Sequence, residues 1–327
     1  MPLRIVLLGT GEFALPSFKA LIESDHEVAG IFTQPDRTGR GHHRHVNSVK
    51  QLAEEHGIPV FQPPRVNRPD VLDELRLLNA DAFIVAAYGQ ILKPEFLEIP
   101  RLGAFNLHGS LLPRHRGAAP VQYSIWKGDQ ETGVTIFRIE PALDSGPIAG
   151  VVETEIGSKE TSGDLMLRLA ELSAPLALDV VNQLEHGTAR FARQNPSLVT
   201  LAPKIRKHDG VIDWTQSPRQ IDCHVRAMQP WPKAATWLVS KTREPLRCII
   251  LTTNPDPQSL PENVASGSTG TVLLADKRLL VQTGGGVIEI CRLQPDGKGP
   301  MDATAFLNGY RISGGMQFGG TADTSPA

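Results

Sequence analysis

Up to about residue 190 the chain alternates short apolar runs with longer amphipathic segments. Runs rich in Val, Ile, Leu and Phe at 3–9, 27–33, 58–63, 81–89 and 103–109 predict buried strands. Between and after them, 15–24, 46–57, 69–79 and 117–128 repeat apolar residues at helical spacing. Pro16 falls in a first turn, where a missing N–H does no harm, and Gly57 is a helix stop. Two further strands are predicted at 133–140 and 148–156. A long helix at 161–187 follows, with Thr161 or Ser162 as cap and Asp164 in its first turn. Alternating strands and helices predict an α/β domain with a doubly wound, mostly parallel, Rossmann-like sheet.

The pattern changes near 190. The stretch 191–210, FARQNPSLVTLAPKIRKHDG, reads as a linker, and 212–232 reads as partly helical. Five short β-rich runs between 235 and 295, separated by turn residues, predict a small all-β barrel. Residues 254–270 read as a surface loop and 302–309 as a capped closing helix. The end of the chain has little to bury and is expected to be disordered. The expected organisation is a catalytic domain over 1–189, a linker over 190–208, a barrel over 209–314 and a tail over 315–327.

Charge adds one point to this picture. The net charge is −2. Residues 1–190 hold 18 Lys/Arg against 24 Asp/Glu, whereas residues 191–327 hold 15 against 11. A basic second half raises the expectation of a polyanionic partner. Three widely spaced cysteines fit a reducing cytosol rather than a disulfide framework. No apolar run approaches the roughly 18 residues of a membrane span, and no targeting peptide is read, so a cytoplasmic protein is expected.

Two strand ends carry candidate chemistry. After the first run, Gly9, Gly11 and Ala14 match the form of a dinucleotide turn. Glu12 places a negative charge where a pyrophosphate would sit, and Asp36 follows a proline well past the usual spacing. These glycines are therefore read as a tight strand–helix turn, with no nucleotide cofactor expected. After the fifth run comes FNLHGSLLPRHRGAAP. Asn106 and His108 lie two apart on a strand, so they project from one face, at the carboxyl end where open α/β sheets bind ligands. An amide donor beside a group that moves protons near neutral pH suits attack of a substrate amine or hydroxyl on a carbonyl carbon. Asp144, in the Ser/Gly/Pro turn ALDSGPI, is equally well read as the acidic partner of His108 or as a plain turn aspartate.

Together FNLHGSLLPRHRGAAP and ALDSGPI resemble the 10-formyltetrahydrofolate-dependent formyltransferases. The resemblance implies catalytic roles for Asn106, His108 and Asp144. It implies a folate site at Ser110, Leu111, Leu112 and Pro113 and at the backbone of Tyr88, Gly89, Gln90 and Ile91, with 10-formyltetrahydrofolate as formyl donor and no metal. TQPDRTGRG, LAPKIRKHDGVIDW, RAMQPWP and the barrel sequences resemble the branch of the family that formylates methionyl initiator tRNA, whose barrel is OB-like. That implies tRNA contacts from Arg40, Arg44, Lys204, Arg206 and Lys207, and a monomer acting in translation initiation. The alternative acceptor is an amino-sugar nucleotide or a purine-pathway amine. The loop around Arg40 departs from the family pattern: His42, His43 and His45 stand where lysines are usual, which weakens a phosphate clamp at neutral pH. A metal at this histidine tract is disfavoured, because closely spaced histidines in a loop do not set up a rigid ligand geometry.

Overall fold

The computed structural model describes residues 1–36, 47–240, 243–258, 267–275 and 277–319. The chain folds into two compact units. The first comprises Met1–Pro120, Glu131–Glu155 and Asp164–Pro203; the second comprises Val121–Gln130, Ile156–Gly163 and Lys204–Ala327. Up to residue 126 the elements are β1 (Arg4–Gly9), α1 (Leu15–Ile22), β2 (Glu27–Phe32), α2 (Ser48–Glu55), β3 (Val60–Phe61), α3 (Pro69–Leu77), β4 (Ala82–Ala86), α4 (Pro94–Leu97), β5 (Ala104–His108) and α5 (Pro120–Trp126). They continue with β6 (Glu131–Arg138), β7 (Ile148–Glu155), α6 (Ser162–His186) and α7 (Pro218–Ala227).

The first unit is built on one sheet of order β3-β2-β1-β4-β5-β6-β7. The five strands from β3 to β5 are parallel, and β6 and β7 run antiparallel at one edge. The mostly parallel sheet expected from the sequence is therefore present. The β6–β7 connection, 139–147, is a tight loop, shorter than the roughly dozen residues a parallel crossover needs, so a hairpin results. One face is filled by Val6, Leu8, Phe32, Phe83 and Val85 against Val71, Leu75 and Phe96, all buried. Phe32 stacks on Phe61 with ring centroids 4.6 Å apart. Burying each such side chain is worth about 1.5–3 kcal/mol.

The stretch 190–203 runs against the loop that follows β5. Arg116 N–H donates to Thr200 O (2.9 Å), Ala202 N–H to Arg116 O (2.7 Å) and Ala119 N–H to Ala202 O (3.2 Å). Gly117 has φ 130°, and a Cβ there would stand 2.5 Å from Ala202 O, so this approach needs a glycine.

The second unit contains α7, then β8 (Ala234–Ser240), β9 (Arg243–Asn254), β10 (Val272–Ala275), β11 (Arg278–Thr283), β12 (Gly286–Pro295), β13 (Met301–Asp302), α8 (Ala303–Tyr310) and β14 (Gln317–Gly319). Its antiparallel sheet has the order β10-β11-β12-β9-β8-β14, with β13 on β12. Val272 N–H donates to Met316 O (2.7 Å) and Phe318 N–H to Gly270 O (2.8 Å), so the two ends of the sheet meet in a nearly closed, OB-like barrel. This corrects the expectation of a wholly disordered end. Phe318 is buried and stacks on Trp214 (5.7 Å), which gives Gln317–Gly319 a reason to pair with β8. Among the described residues no helix is long and apolar enough to cross a membrane.

Candidate active site

β5 brings Asn106 and His108 to one face, with Phe105 and Leu107 buried on the other. Its neighbours fix the register: Asn106 pairs with Val85 of β4 and Phe137 of β6, and His108 with Thr135. His108 is 4% exposed. Its Nε2 lies 2.9 Å from the carbonyl oxygen of His115, which can only accept, so Nε2 carries the hydrogen. Nδ1 faces Asp144, with Oδ2 at 3.8 Å. Burial lowers the His108 pKa below its ordinary value, with Asp144 and the His115 carbonyl opposing that shift, so the ring is neutral at pH 7. Asp144 Oδ2 also accepts the Gly117 N–H at 2.7 Å. The Asn106 side chain is half-buried, and none of the described residues engages its amide.

Two loops make this arrangement. After β5 the chain turns through Ser110, whose N–H donates to His108 O (2.9 Å) and whose Oγ donates to Arg114 O (2.7 Å). Thr135 of β6 pins it further, donating to Ser110 O (2.7 Å) and accepting from Leu112 N–H (3.1 Å). His115 adopts φ 59°, and its N–H donates to Thr200 Oγ1 (2.8 Å). The second loop, 139–147, carries Asp144 at φ 44°, a left-handed conformation that aspartate tolerates.

Gln194 joins the two loops. Its Oε1 accepts from Arg116 Nε (3.1 Å) and Nη2 (2.7 Å), and its Nε2 donates to Asp144 O and Gly146 O, both at 2.8 Å. Gln194, Thr200, Thr135 and His115 were not singled out from the sequence. A lone Gln and Thr in a polar stretch read as solvated linker, and only their backbone neighbours reveal otherwise.

The expected folate residues border the same strand ends. Ser110 and Leu112 are buried and shape the loop, while Leu111 and Pro113 are half-buried at its surface. After β4, Ala87 (φ 50°) and Gly89 (φ 80°) turn the chain, and Gln34 Nε2 donates to Tyr88 O (2.8 Å). Tyr88 is packed in the core, and burial drives the pKa of its phenol strongly up. Gln90 bridges Val66 N–H (2.8 Å) and Pro63 O (3.1 Å), and Ile91 is 85% exposed. Because β4 and β5 are adjacent and parallel, the two loops flank Asn106 at the carboxyl edge. Lys204, Arg206 and Lys207 are exposed in the second unit. Arg40, Arg44 and the histidines at 42, 43 and 45 lie outside the described residues. Among the described residues no group of three or more His, Cys, Asp or Glu side chains is placed to hold a metal.

Residues 3–181 match the formyl transferase family and residues 204–311 the formyl transferase C-terminal domain. The chain is 42% identical over 310 residues to the methionyl-tRNA formyltransferase of Pseudoalteromonas translucida (strain TAC 125), covering 94% of each. The chain belongs to the methionyl-tRNA formyltransferase family. It is also 41% identical over 313 residues to the methionyl-tRNA formyltransferase of Methylococcus capsulatus (strain ATCC 33009 / NCIMB 11132 / Bath), covering 95% of this chain and 98% of the other. Among solved structures, the sugar 3N-formyl transferase WlaRD, determined in the presence of dTDP and 5-N-formyl-THF, shares the fold at 16% identity. Its TM-score is 0.65, with 91% of this chain and all of that one covered. HypX from Aquifex aeolicus in complex with tetrahydrofolic acid shares the fold at TM-score 0.59 and 16% identity, over 94% of this chain and 47% of that one.

Proposed function

We propose that the protein transfers the formyl group of 10-formyltetrahydrofolate to the α-amino group of methionyl initiator tRNA. The family relationship supports the reaction type and the tRNA substrate. The observation that carries the mechanism is the placement of the Asn106 amide, His108 Nδ1 and the Asp144 carboxylate at one strand end. The amine nitrogen attacks the formyl carbon, a new C–N bond forms, and the carbonyl oxygen takes negative charge. Asn106 donates to that oxygen; one such donor is worth about 3–4 kcal/mol in the transition state.

His108 handles the proton. Its Nε2–H is committed to the His115 carbonyl, so Nδ1 is the nitrogen that accepts. A neutral ring takes the proton lost by the amine, directly or through water, and becomes an imidazolium facing Asp144 across 3.8 Å. Protonation turns that gap into a charge-assisted contact, and the new positive charge helps hold the oxyanion. Collapse breaks the bond between the formyl carbon and folate nitrogen, and that nitrogen leaves with the proton that His108 took from the amine. Proton transfer of this kind typically contributes about 10²–10⁴-fold. Lys204, Arg206 and Lys207 hold tRNA phosphates, Arg40 reads the acceptor stem, and Arg44 adds a tRNA contact beside it. The protein acts as a monomer, and a role in translation initiation supports a cytoplasmic location.

The test is transfer of radiolabelled formyl from 10-formyltetrahydrofolate to four acceptors: methionyl initiator tRNA, methionyl elongator tRNA, an amino-sugar nucleotide and glycinamide ribonucleotide. The first is expected to dominate kcat/KM by orders of magnitude. Preference for either small amine overturns the assignment.

A further inference from the structure

Of the four tryptophans, Trp231 alone is exposed, at 56%; Trp214 is buried and donates Nε1–H to Thr236, and Trp126 and Trp237 are half-buried. An indole held in water forgoes a large apolar burial, so its pedestal is informative. That pedestal is the turn after α7, and it is clamped on every side. Lys233 N–H donates to Met228 O (2.8 Å) and closes the turn. Ser162 Oγ donates to Ala227 O (2.8 Å) and Gln229 O (2.5 Å), and Gly163 N–H to Gln229 O (3.1 Å). Gln229 Nε2 donates to Val225 O (3.0 Å) and Leu251 O (2.9 Å). Gly210 packs so tightly on Pro232 and Lys233 that a Cβ there would lie 3.0 Å from Pro232 Cγ. The side chain at the tip thus projects from a fixed base.

The side packed on Pro232 and Lys233 is cationic. Gly210 ends the short turn Lys207–Gly210, which carries exposed Lys207 and His208, and exposed Arg206 and Lys204 precede it. The acid in this turn is Asp209, whose Oδ2 already accepts the Arg206 N–H (2.6 Å) and whose Oδ1 lies 3.5 Å from His208 Nε2. A rigid, flat aromatic beside a row of cations is the arrangement that grips unpaired nucleotides: the cations hold phosphates and the ring stacks on a base.

We propose that Trp231 is a stacking platform for an unpaired base of the bound tRNA, with Lys207 and Arg206 holding the phosphates beside it. The proposal rests on the reading that tRNA is the acceptor substrate. A tryptophan stacks on any base, so this contact adds affinity and fixes position without reading sequence.

The experiment uses the full-length protein, Trp231→Ala and Trp231→Phe, with initiator tRNA and a fully paired, blunt RNA duplex as probes. Trp231→Ala is expected to weaken tRNA binding by about 5- to 150-fold, with thermal midpoint and duplex affinity unchanged. Trp231→Phe is expected to recover most of the loss. The wild-type tryptophan emission is expected to be quenched on tRNA binding, and most of that quenching to vanish in Trp231→Phe. Unchanged tRNA affinity in Trp231→Ala overturns the proposal, as does an equal loss for the duplex. Wild-type protein that neither binds nor formylates methionyl-tRNA overturns instead the functional reading beneath it. Wild-type formylation with an unaffected Trp231→Ala isolates the failure to this residue.

Discussion

Two strand ends of the first unit carry site-like spacings and differ in what becomes of their polar groups. The turn after β1 has the glycine spacing of a dinucleotide site, and the loop after β5 has the Asn-x-His spacing of a proton-handling site. At the first, a Cβ on Gly9 would meet the Phe18 ring at 2.6 Å and Ala86 O at 2.8 Å, so the glycine makes room for packing. Glu12 accepts from Ser48 Oγ (3.1 Å), and Asp36 is held by Lys50 (2.8 Å) and Gln62 (2.9 Å). Its polar groups are engaged by the protein itself. At the second, no described residue engages the Asn106 amide and His108 Nδ1 faces Asp144 across 3.8 Å, while the loops that carry them are tied by Thr135 and Gln194. The two spacings look alike in sequence; the polar groups around them are bound up by the protein at the first and turned toward the strand end at the second.

The sharpest break in this comparison comes from substitution on the two sides. His108→Ala and Asn106→Ala are expected to lower kcat by about 10²–10⁴-fold with little loss of stability, since they remove proton transfer and oxyanion donation. Single-turnover formyl transfer checks this. Gly9→Val is expected to do the reverse: a loss of about 1–3 kcal/mol in denaturant unfolding, with kcat of the folded fraction near normal. Gln194→Ala leaves His108 and Asp144 in place but unties Arg116 from the Asp144 loop. Its kcat is expected to fall roughly tenfold, about 1.4 kcal/mol, with KM for the folate donor nearly unchanged. Gln194→Glu, which keeps the Arg116 contacts, is expected to recover part of that loss.

A smaller effect concerns pH. Burial lowers the pKa of both His108 and His224 in the folded protein. The unfolded chain therefore binds more protons once pH falls below about 6.5. Stability is then full above that value and is lost as pH drops through it. The thermal midpoint is expected to decline between pH 7 and pH 5.5, and His224→Gln is expected to flatten the decline. The smallest change is expected from Lys207→Ala alone, which should reduce the slope of log affinity for tRNA against log salt by about one and leave kcat unchanged.

Much of this was legible in the residues. The alternation of apolar runs pointed to a doubly wound domain because each run is buried on both faces, as β1 and β4 are. Asn106 and His108 were legible because period two places them together at a strand end. Antiparallel β6 and β7 were not, since both directions bury the same side chains; the short 139–147 connection explains β7 against β6, but the long connection through α5 leaves the direction of β6 open in the sequence. Neither was β14, three residues in a glycine-rich stretch whose order depends on Phe318 meeting Trp214. The partnership of His108 with Asp144 left sequence physics evenly divided, because it is made by loops that reach each other through Gln194. The hydrogen on Nε2 is likewise set by a distant backbone carbonyl.

The most direct test of the account is the single-turnover rate of formylmethionyl-tRNA formation by wild-type protein and His108→Ala, with tRNA affinity measured on the same preparations. The account predicts equal affinity and a rate at least about 10²-fold lower in the variant. A variant rate within about threefold of wild type, at equal affinity, would contradict it.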